Sequence, residues 1–215
     1  MKRFYLSGLL LMMSFLAFSQ QKDPKAKALL DAVSNKFKSY STVLANFSYQ
    51  IQNSAGKTLS QKKGTINMKG SRYNIAFGNN KIISDGKTVW NYDPSAKEVT
   101  VNNANNSEKT ITPQKLFTNF YDKDFAYSLS GEKTVGGKKV QEVVLLPTDK
   151  SKPFSKVLLY IDKAANSIIS ANVVEKNGNK YVYTVNSLKP NVAMSDAQFS
   201  FNKANYPGVE VVDLR

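Results

Sequence analysis

Two carboxylates, Asp122 and Asp124, come closest in type and spacing to a pair that could perform acid–base chemistry. Such a pair works only when its members have different environments and therefore different pKa values. These two residues lie two positions apart in a polar stretch, where the same solvent surroundings are expected for both. We therefore interpret them as turn residues and not as an acid–base pair.

Nucleophilic and zinc-dependent chemistry is disfavoured by composition, because the chain contains neither His nor Cys. His is the usual base that activates a nucleophile, and Cys and His are the usual zinc ligands. Gly136 and Gly137 lack the surrounding pattern of a phosphate-binding loop and are expected in a hairpin turn. The sequence therefore predicts a protein that is not an enzyme and that has no metal site and no cofactor.

Large aromatic side chains are abundant instead: 12 Phe, 11 Tyr and one Trp. They can fill an ordinary core or line an apolar cavity, and composition leaves both interpretations open. The formal net charge is +14, and Arg occurs only at positions 3, 72 and 215. Because nucleic-acid binders draw on Arg for bidentate contacts, this Lys-rich charge indicates a solvated surface and no nucleic-acid partner.

The first residues have the three-part pattern of a secretory signal. A basic start at residues 2–3 precedes an apolar run over residues 4–18. A helix that spans a bilayer needs about 20 apolar residues, so a cleaved signal is favoured over a retained anchor. We expect a signal peptide over residues 1–19, cleavage near Ser19/Gln20, and a periplasmic location.

Hydrophobic spacing predicts one helix followed by a long series of strands. Asp23 is a typical N-cap and Pro24 suits the first helical turn. Apolar residues at spacings of three and four then predict an amphipathic helix over residues 24–40. From Val43 onward, apolar and polar residues alternate and predict about eleven strands, with Asp85-Gly86 as one hairpin turn.

The pattern as a whole favours one domain over residues 20–215, because no strand–helix rhythm and no internal repeat divides it. A sheet this wide should curl, since its strands twist. We predict a mainly β fold: a strongly curved antiparallel sheet that forms an unclosed half barrel of about eleven strands. A second short helix, expected over residues 113–120, would complete a short-helix lid.

A half barrel of this size can enclose a cavity, because about eight strands already approach the limit that inward side chains fill. Strand parity assigns nine residues to the inner face as the cavity lining: Phe47, Tyr49, Ile66, Met68, Tyr73, Ile75, Phe77, Trp90 and Tyr92. Val89 competes with the last two for that face. Helical spacing gives the lid residues: Leu29, Leu30, Val33, Phe37, Leu116, Phe117 and Phe120.

The segment from Ile82 to Pro94, IISDGKTVWNYDP, resembles a segment of the outer-membrane lipoprotein carrier family, LolA. The ending, with Phe199-Ser200-Phe201 followed by Pro207 to Val211, is similar to the ending of that family. The order of elements agrees as well: signal, helix, a strand that contains Ala45-Asn46-Phe47, then a second strand. The resemblance covers nearly all of the chain after the signal.

The resemblance implies an unclosed β-barrel with a helical lid, located in the periplasm. It implies a carrier that takes acylated lipoproteins from an inner-membrane ABC-type release complex and hands them to an outer-membrane acceptor. The acyl chains would occupy the apolar interior, and a monomer is expected. We also hypothesise that the lid helices fill the cavity when it is empty, so that cargo must displace them.

A lid latch is implied by the family, in which an Arg followed by Pro just after the second strand helps to hold the lid closed. Here Arg72 is displaced and has no Pro after it, and Lys69 is the second candidate. An exposed charge at a strand edge is the alternative interpretation of Arg72. Two other functions of this fold also remain: an envelope-stress or lipid-sensing binding module, and a lipid-anchored acceptor, which the lack of Cys disfavours.

Overall fold

The computed structural model describes residues 22–104 and 121–215. The first helix, α1, spans Pro24–Lys38. It begins where predicted, because the Asp23 carboxylate accepts a hydrogen bond of 2.8 Å from the Lys25 amide. It ends at Lys38, two residues before the predicted end. The second predicted helix, over residues 113–120, lies outside the described residues.

The described residues form twelve strands, where about eleven were predicted. Their bounds are β1 Val43–Gln52, β2 Thr58–Lys69, β3 Arg72–Phe77, β4 Asn80–Ser84, β5 Thr88–Asp93, β6 Glu98–Asn103, β7 Phe125–Val135, β8 Lys138–Pro147, β9 Phe154–Asp162, β10 Ser167–Glu175, β11 Lys180–Pro190 and β12 Glu210–Asp213. A four-residue helix, α2, spans Tyr121–Asp124, and two 3-10 helices, Asp196–Phe199 and Lys203–Asn205, lie between β11 and β12.

All twelve strands belong to one curved sheet in the order β12-β6-β5-β4-β3-β2-β1-β11-β10-β9-β8-β7. The prediction of a mainly β, curved and unclosed sheet is therefore confirmed. Every pairing is antiparallel except that of β12 with β6, which is parallel. Because β12 follows β11 from the middle of the sheet, the chain must pass β1 to β6 to reach that edge, and it passes them over one face.

The two faces of the sheet are covered by different parts of the chain. On the face that we call the helix face, Ala26, Leu30 and Val33 of α1 pack into a core cluster with buried residues of β7 to β10. On the opposite face, which we call the outer face, the C-terminal segment, residues 191–209, packs across β3 to β6. This division decides which side chains of each strand can line a cavity.

The hairpin between β4 and β5 follows the turn chemistry that the sequence predicted. Asp85 accepts hydrogen bonds from the backbone amides of Lys87 and Thr88 at 2.8 and 2.7 Å. Gly86 has φ +93°, a value that favours glycine. The fully buried Ser84 hydroxyl donates to the Thr88 carbonyl at 2.9 Å. Within the segment from Ile82 to Pro94, residues 84–88 therefore build a tight turn rather than a binding surface.

Candidate functional site

The helix face of β1 to β3 brings together six of the nine residues predicted to line a cavity. Ile66, Met68, Tyr73 and Ile75 are all at most 6% exposed and belong to one cluster. Phe47 and Phe77 pack against the same cluster as half-buried side chains. The strand register explains this, because Ile66 lies opposite Ile75 and Met68 lies opposite Tyr73, and residues that face each other share a side of the sheet.

Gly64 makes room for the Phe47 ring on this face. The two residues lie opposite each other in the β1–β2 pair, and a Cβ at position 64 would lie 2.4 Å from Phe47 Cζ. The same Cβ would also lie 2.6 Å from the Ala76 carbonyl oxygen of β3. The absence of a side chain at Gly64 therefore lets the Phe47 ring occupy the space directly over this position of β2.

Tyr49, the seventh predicted residue, lies on the helix face but joins a different group. Its ring stacks on Tyr181 with centroids 6.0 Å apart, and it contacts Tyr183 at 5.1 Å. Burial raises the pKa of Tyr183 to about 12. The sequence interpretation missed Tyr181 and Tyr183, although their alternation within the last long strand was the signal that could have identified them.

Trp90 and Tyr92 lie on the outer face, which corrects their predicted placement. Ile82 faces both Ile75 and Asn91, so Asn91 shares the helix face and its neighbour Trp90 does not. Trp90 and Tyr92 instead pack with Val99, Val101 and Val209 and with the C-terminal segment. The Tyr92 ring meets Tyr206 with centroids 4.7 Å apart. The competing residue, Val89, occupies the helix face.

The α1 helix presents the described part of the predicted lid. Leu30 and Val33 are buried in the core cluster, and Leu29 packs against it half-buried. Phe37, near the end of the helix, packs instead against the cluster of β1 to β3. Leu116, Phe117 and Phe120 lie outside the described residues.

Two cavities flank the end of α1. The first has a volume of about 300 Å³ and lies between Val33 of α1 and Ile168, Val185 and Leu188 of the sheet. The second has a volume of about 290 Å³ and is lined by Val43 and Met68 of the sheet, among others. Phe37 and Tyr40 line both cavities. The space beside the predicted cavity residues is therefore divided at the end of the helix: the second cavity is mostly apolar, whereas Lys36, Lys138 and Asn166 also border the first.

Both ends of α1 are tied to the sheet. At its start, the Asp23 amide donates to the Tyr127 carbonyl at 3.0 Å, and the Leu129 amide donates to the Asp23 carboxylate at 3.1 Å. The Leu129 hydrogen bond is the largest cause of the lowered pKa of Asp23. Beyond the end of α1, the side-chain oxygen of Asn191 accepts a hydrogen bond from the Ser41 amide at 2.9 Å. These contacts oppose a swing of the whole helix away from the sheet.

A third contact joins α1 to α2. The buried Tyr121 donates its hydroxyl proton to the Asp31 carboxylate at 2.7 Å, and Lys27 lies 2.9 Å from the same carboxylate. The hydrogen bond from Lys27, followed by that from Tyr121, lowers the pKa of Asp31. Burial and the hydrogen bond to Asp31 raise the pKa of Tyr121.

The two latch candidates, Lys69 and Arg72, both contact Asp196 of the C-terminal segment. The distances to its Oδ1 atom are 2.7 Å from Lys69 Nζ and 3.2 Å from Arg72 Nη1. Arg72 also lies over the Phe199 ring, 5.6 Å from its centroid. Within the described residues these two cations hold the outer face, opposite α1, and so they do not form the predicted latch. The reason is parity, since Met68 and Tyr73 next to them take the helix face.

The chemistry of the helix face is that of apolar contact. Among residues 22–104 and 121–215, no cluster of three or more Asp and Glu side chains is arranged to hold a metal ion. In the same part of the chain, no helix has the length and hydropathy that crossing a bilayer requires. Aliphatic and aromatic side chains next to cavities of a few hundred Å³ can hold an alkyl chain by burying it from water.

The family model described as outer membrane lipoprotein carrier protein LolA matches residues 38–202. The outer-membrane lipoprotein carrier protein of Vibrio parahaemolyticus is 28% identical over 214 residues, which cover 97% of this chain and 95% of the relative. That of Histophilus somni is 27% identical over 194 residues, 86% of this chain and 88% of the relative.

Solved structures share the fold at low sequence identity. An uncharacterized conserved protein from Thermus thermophilus has a TM-score of 0.60 and 14% identity, and the match covers 88% of this chain and 99% of that one. This likeness concerns the fold alone. The carrier proteins are similar over almost their whole length, so the similarity includes the strands that form both cavities.

Proposed function

Because this chain belongs to the LolA family of outer membrane lipoprotein carrier proteins, we propose that it carries lipoproteins by burying their acyl chains between α1 and the helix face. In this proposal it works in the periplasm, after removal of its signal peptide. It receives cargo from an ABC-type release complex in the inner membrane and hands it to the outer membrane. The relatives that are named carriers favour this function over a sensing module of the same fold.

The observation that carries the proposal is the apolar space at the end of α1. The buried cluster of β1 to β3 meets Phe37 there, and a cavity opens on each side of that side chain. Ligand cavities in proteins have volumes of about 300–1,000 Å³ and mostly apolar linings. Each cavity alone is at the small end of that range, which suits an acyl chain better than a bulky ligand.

A carrier must also release its cargo. Each CH₂ group removed from water contributes about 0.8 kcal/mol, so complete burial of long acyl chains would bind too tightly for transfer. Displacement of protein side chains from the apolar space offsets part of that gain. Because both ends of α1 are tied to the sheet, we propose that the side chains of Phe37 and Tyr40 move when cargo enters, while the helix stays in place.

The test uses a synthetic lipopeptide with two palmitoyl chains, presented in phospholipid vesicles. After incubation and removal of the vesicles, we expect the lipopeptide to remain with the protein, and the same peptide without acyl chains to be lost. Val185→Phe should weaken retention, because Val185 lines the first cavity. Val182→Phe is the matched control, since position 182 lies on the outer face of the same strand.

Equal retention of the acylated and unacylated peptides would contradict the proposal. So would an equal loss of binding in Val185→Phe and Val182→Phe, because the helix face would then have no special part in binding. Native mass spectrometry of protein purified from its own envelope offers a second readout, in which a bound acylated species is expected.

A further inference from the structure

We infer that the two cavities hold the two acyl chains of one lipid separately, one chain on each side of a wall formed by Phe37 and Tyr40. The inference rests on the proposed function and specifies its ligand: a lipid that carries two chains on one head, as a diacylglyceryl group does. A lipid with one chain would fill only one cavity. The protein would therefore distinguish cargo by the number of its chains.

The wall consists of two side chains that border both cavities. The Phe37 and Tyr40 rings meet edge to face, with centroids 6.3 Å apart and ring planes at 68°. The first cavity continues from the wall toward Val185 and Leu188 of β11, whereas the second continues toward Val43 of β1 and Met68 of β2. Because β1 and β11 are neighbours in the sheet, both cavities open at the same end of α1.

The backbone that carries the wall is fixed by hydrogen bonds. The Tyr40 amide donates to the Phe37 carbonyl at 3.2 Å, so the two residues form one turn. The next residues are tied to the chain beyond β11. Thr42 donates its hydroxyl proton to the Val192 carbonyl at 2.6 Å, and its carbonyl accepts from the Asn191 amide at 2.8 Å. These contacts hold the backbone of residues 40–42, so the two rings can turn to admit a chain while they remain between the cavities.

The volumes agree with one chain in each cavity. At about 300 and 290 Å³, the two cavities are nearly equal, and each lies at the lower limit for ligand sites. Neither offers room for a pair of long chains side by side unless the wall is removed. A two-chain lipid that uses both cavities binds more tightly than a single-chain lipid, because its chains are linked and the second chain binds at a high effective concentration after the first.

The first experiment uses the unaltered protein and counts bound lipids by native mass spectrometry. The probes are lipopeptides of the same peptide sequence with one palmitoyl chain or two. We expect two single-chain lipopeptides, but only one two-chain lipopeptide, to bind per protein. The two-chain probe should bind about 100-fold more tightly or better, the range found for linked binding events. A stoichiometry of one for both probes would overturn the inference.

The second experiment closes each cavity separately. Val185→Phe fills the first cavity and Ser71→Phe the second, because each of these residues lines only one of them. In either variant we expect the affinity for the two-chain probe to fall to the affinity for the single-chain probe. The apparent affinity for the single-chain probe should fall only about twofold, since one of two equivalent sites remains. The double variant should bind neither probe.

The outcomes separate this inference from the proposed function. If one variant abolishes binding of both probes and the other variant has no effect, a single cavity serves and the inference is wrong, while the carrier function stands. If the unaltered protein binds neither probe, the proposed function itself fails. Val182→Phe on the outer face controls for a general effect of an added ring, and thermal unfolding checks that each variant is folded. The lipid count on the unaltered protein decides the question even if a variant does not fold.

Discussion

At the scale of single residues, the helix face depends on small groups that give space to large ones. Gly64 lies beneath the Phe47 ring, and Ser84 and Gly86 form the turn that sets the register of β4 and β5. None of these residues is apolar and large, so none was predicted to belong to the site. Gly64 acts through Phe47 and Phe77, which face it on the two neighbouring strands, and Ser84 faces Tyr73 in the β3–β4 pair.

We expect Gly64→Ala to destabilise the protein by about 1–3 kcal/mol, the usual cost of adding a methyl group to a tightly packed place. The added Cβ would meet the Phe47 ring at 2.4 Å and the Ala76 carbonyl at 2.6 Å. Urea denaturation measures the change in the free energy of unfolding. Adding Phe47→Ala to this variant should cost less than the two single changes together, because the ring clash is then absent. Simple additivity would contradict this account.

Asp31 predicts a pH dependence of stability. The hydrogen bonds from Lys27 and Tyr121 lower its pKa in the folded state, so in acid the unfolded state binds more protons than the folded state. The contribution of Asp31 is complete above its unfolded pKa of about 3.9 and is lost as the pH falls through the folded pKa. Between pH 5 and pH 3, urea denaturation should show a smaller fall in the unfolding free energy of Asp31→Asn than of the unaltered protein. Equal falls would exclude this role for Asp31.

At the scale of elements, α1 is a helix held to the sheet at both ends, with Phe37 and Tyr40 beside the cavities at one of them. Its buried residues, Leu30 and Val33, join the cluster of β7 to β10, while Phe37 reaches the cluster of β1 to β3. The helix thus bridges the two halves of the sheet. A helix that is tied at both ends and buried along one side should open by local changes rather than as a rigid lid.

Asn191→Gly tests whether the helix or its side chains admit the ligand. Asn191 has φ +59°, which glycine adopts easily, so the change chiefly removes the side-chain oxygen that accepts from Ser41. We expect faster amide hydrogen exchange over residues 39–42 and an unchanged rate of lipopeptide uptake. A clear increase in the uptake rate would show instead that the tether limits entry and that α1 itself moves.

At the scale of the whole molecule, one sheet serves two purposes on its two faces. The helix face carries α1 and the cavities, and the outer face of β3 to β6 carries the C-terminal segment that brings β12 beside β6. Lys69 and Arg72 fasten this segment through Asp196, whose pKa they lower, with Lys69 as the larger cause. Changes at the cavities on the helix face can therefore be measured separately from changes in the packing of the C-terminal segment on the outer face.

Trp90 makes this separation measurable, because it is the only Trp of the chain and it packs under the C-terminal segment. We expect its fluorescence to stay unchanged when a two-chain lipopeptide binds. Phe201→Ala should shift the emission to longer wavelength, since the Phe201 ring packs in the same cluster. A large emission shift on lipid binding, with no shift in Phe201→Ala, would indicate that Trp90 lines the cavity and would contradict the assignment of faces.

The sequence by itself determined the class of fold, the start of α1, most strand positions and the family. These follow from local signals: an N-cap before Pro24, the alternation of apolar and polar residues, and the turn at Asp85-Gly86. The six cavity residues of β1 to β3 that cluster on the helix face were predicted for the same reason, because alternation divides each strand into two faces.

Only the tertiary structure decided which face of each strand belongs to the cavity. Alternation cannot tell Val89 from Trp90, since each face of β5 carries an apolar residue, and only the packing of the C-terminal segment on Trp90 identifies the outer face. Lys69 and Arg72 likewise acquired their partner, Asp196, from a chain crossing more than 120 residues later. The physical reason is that pleating places neighbouring side chains of a strand on opposite faces of the sheet. Which segment of the chain then packs on each face is decided by the pairing of distant strands.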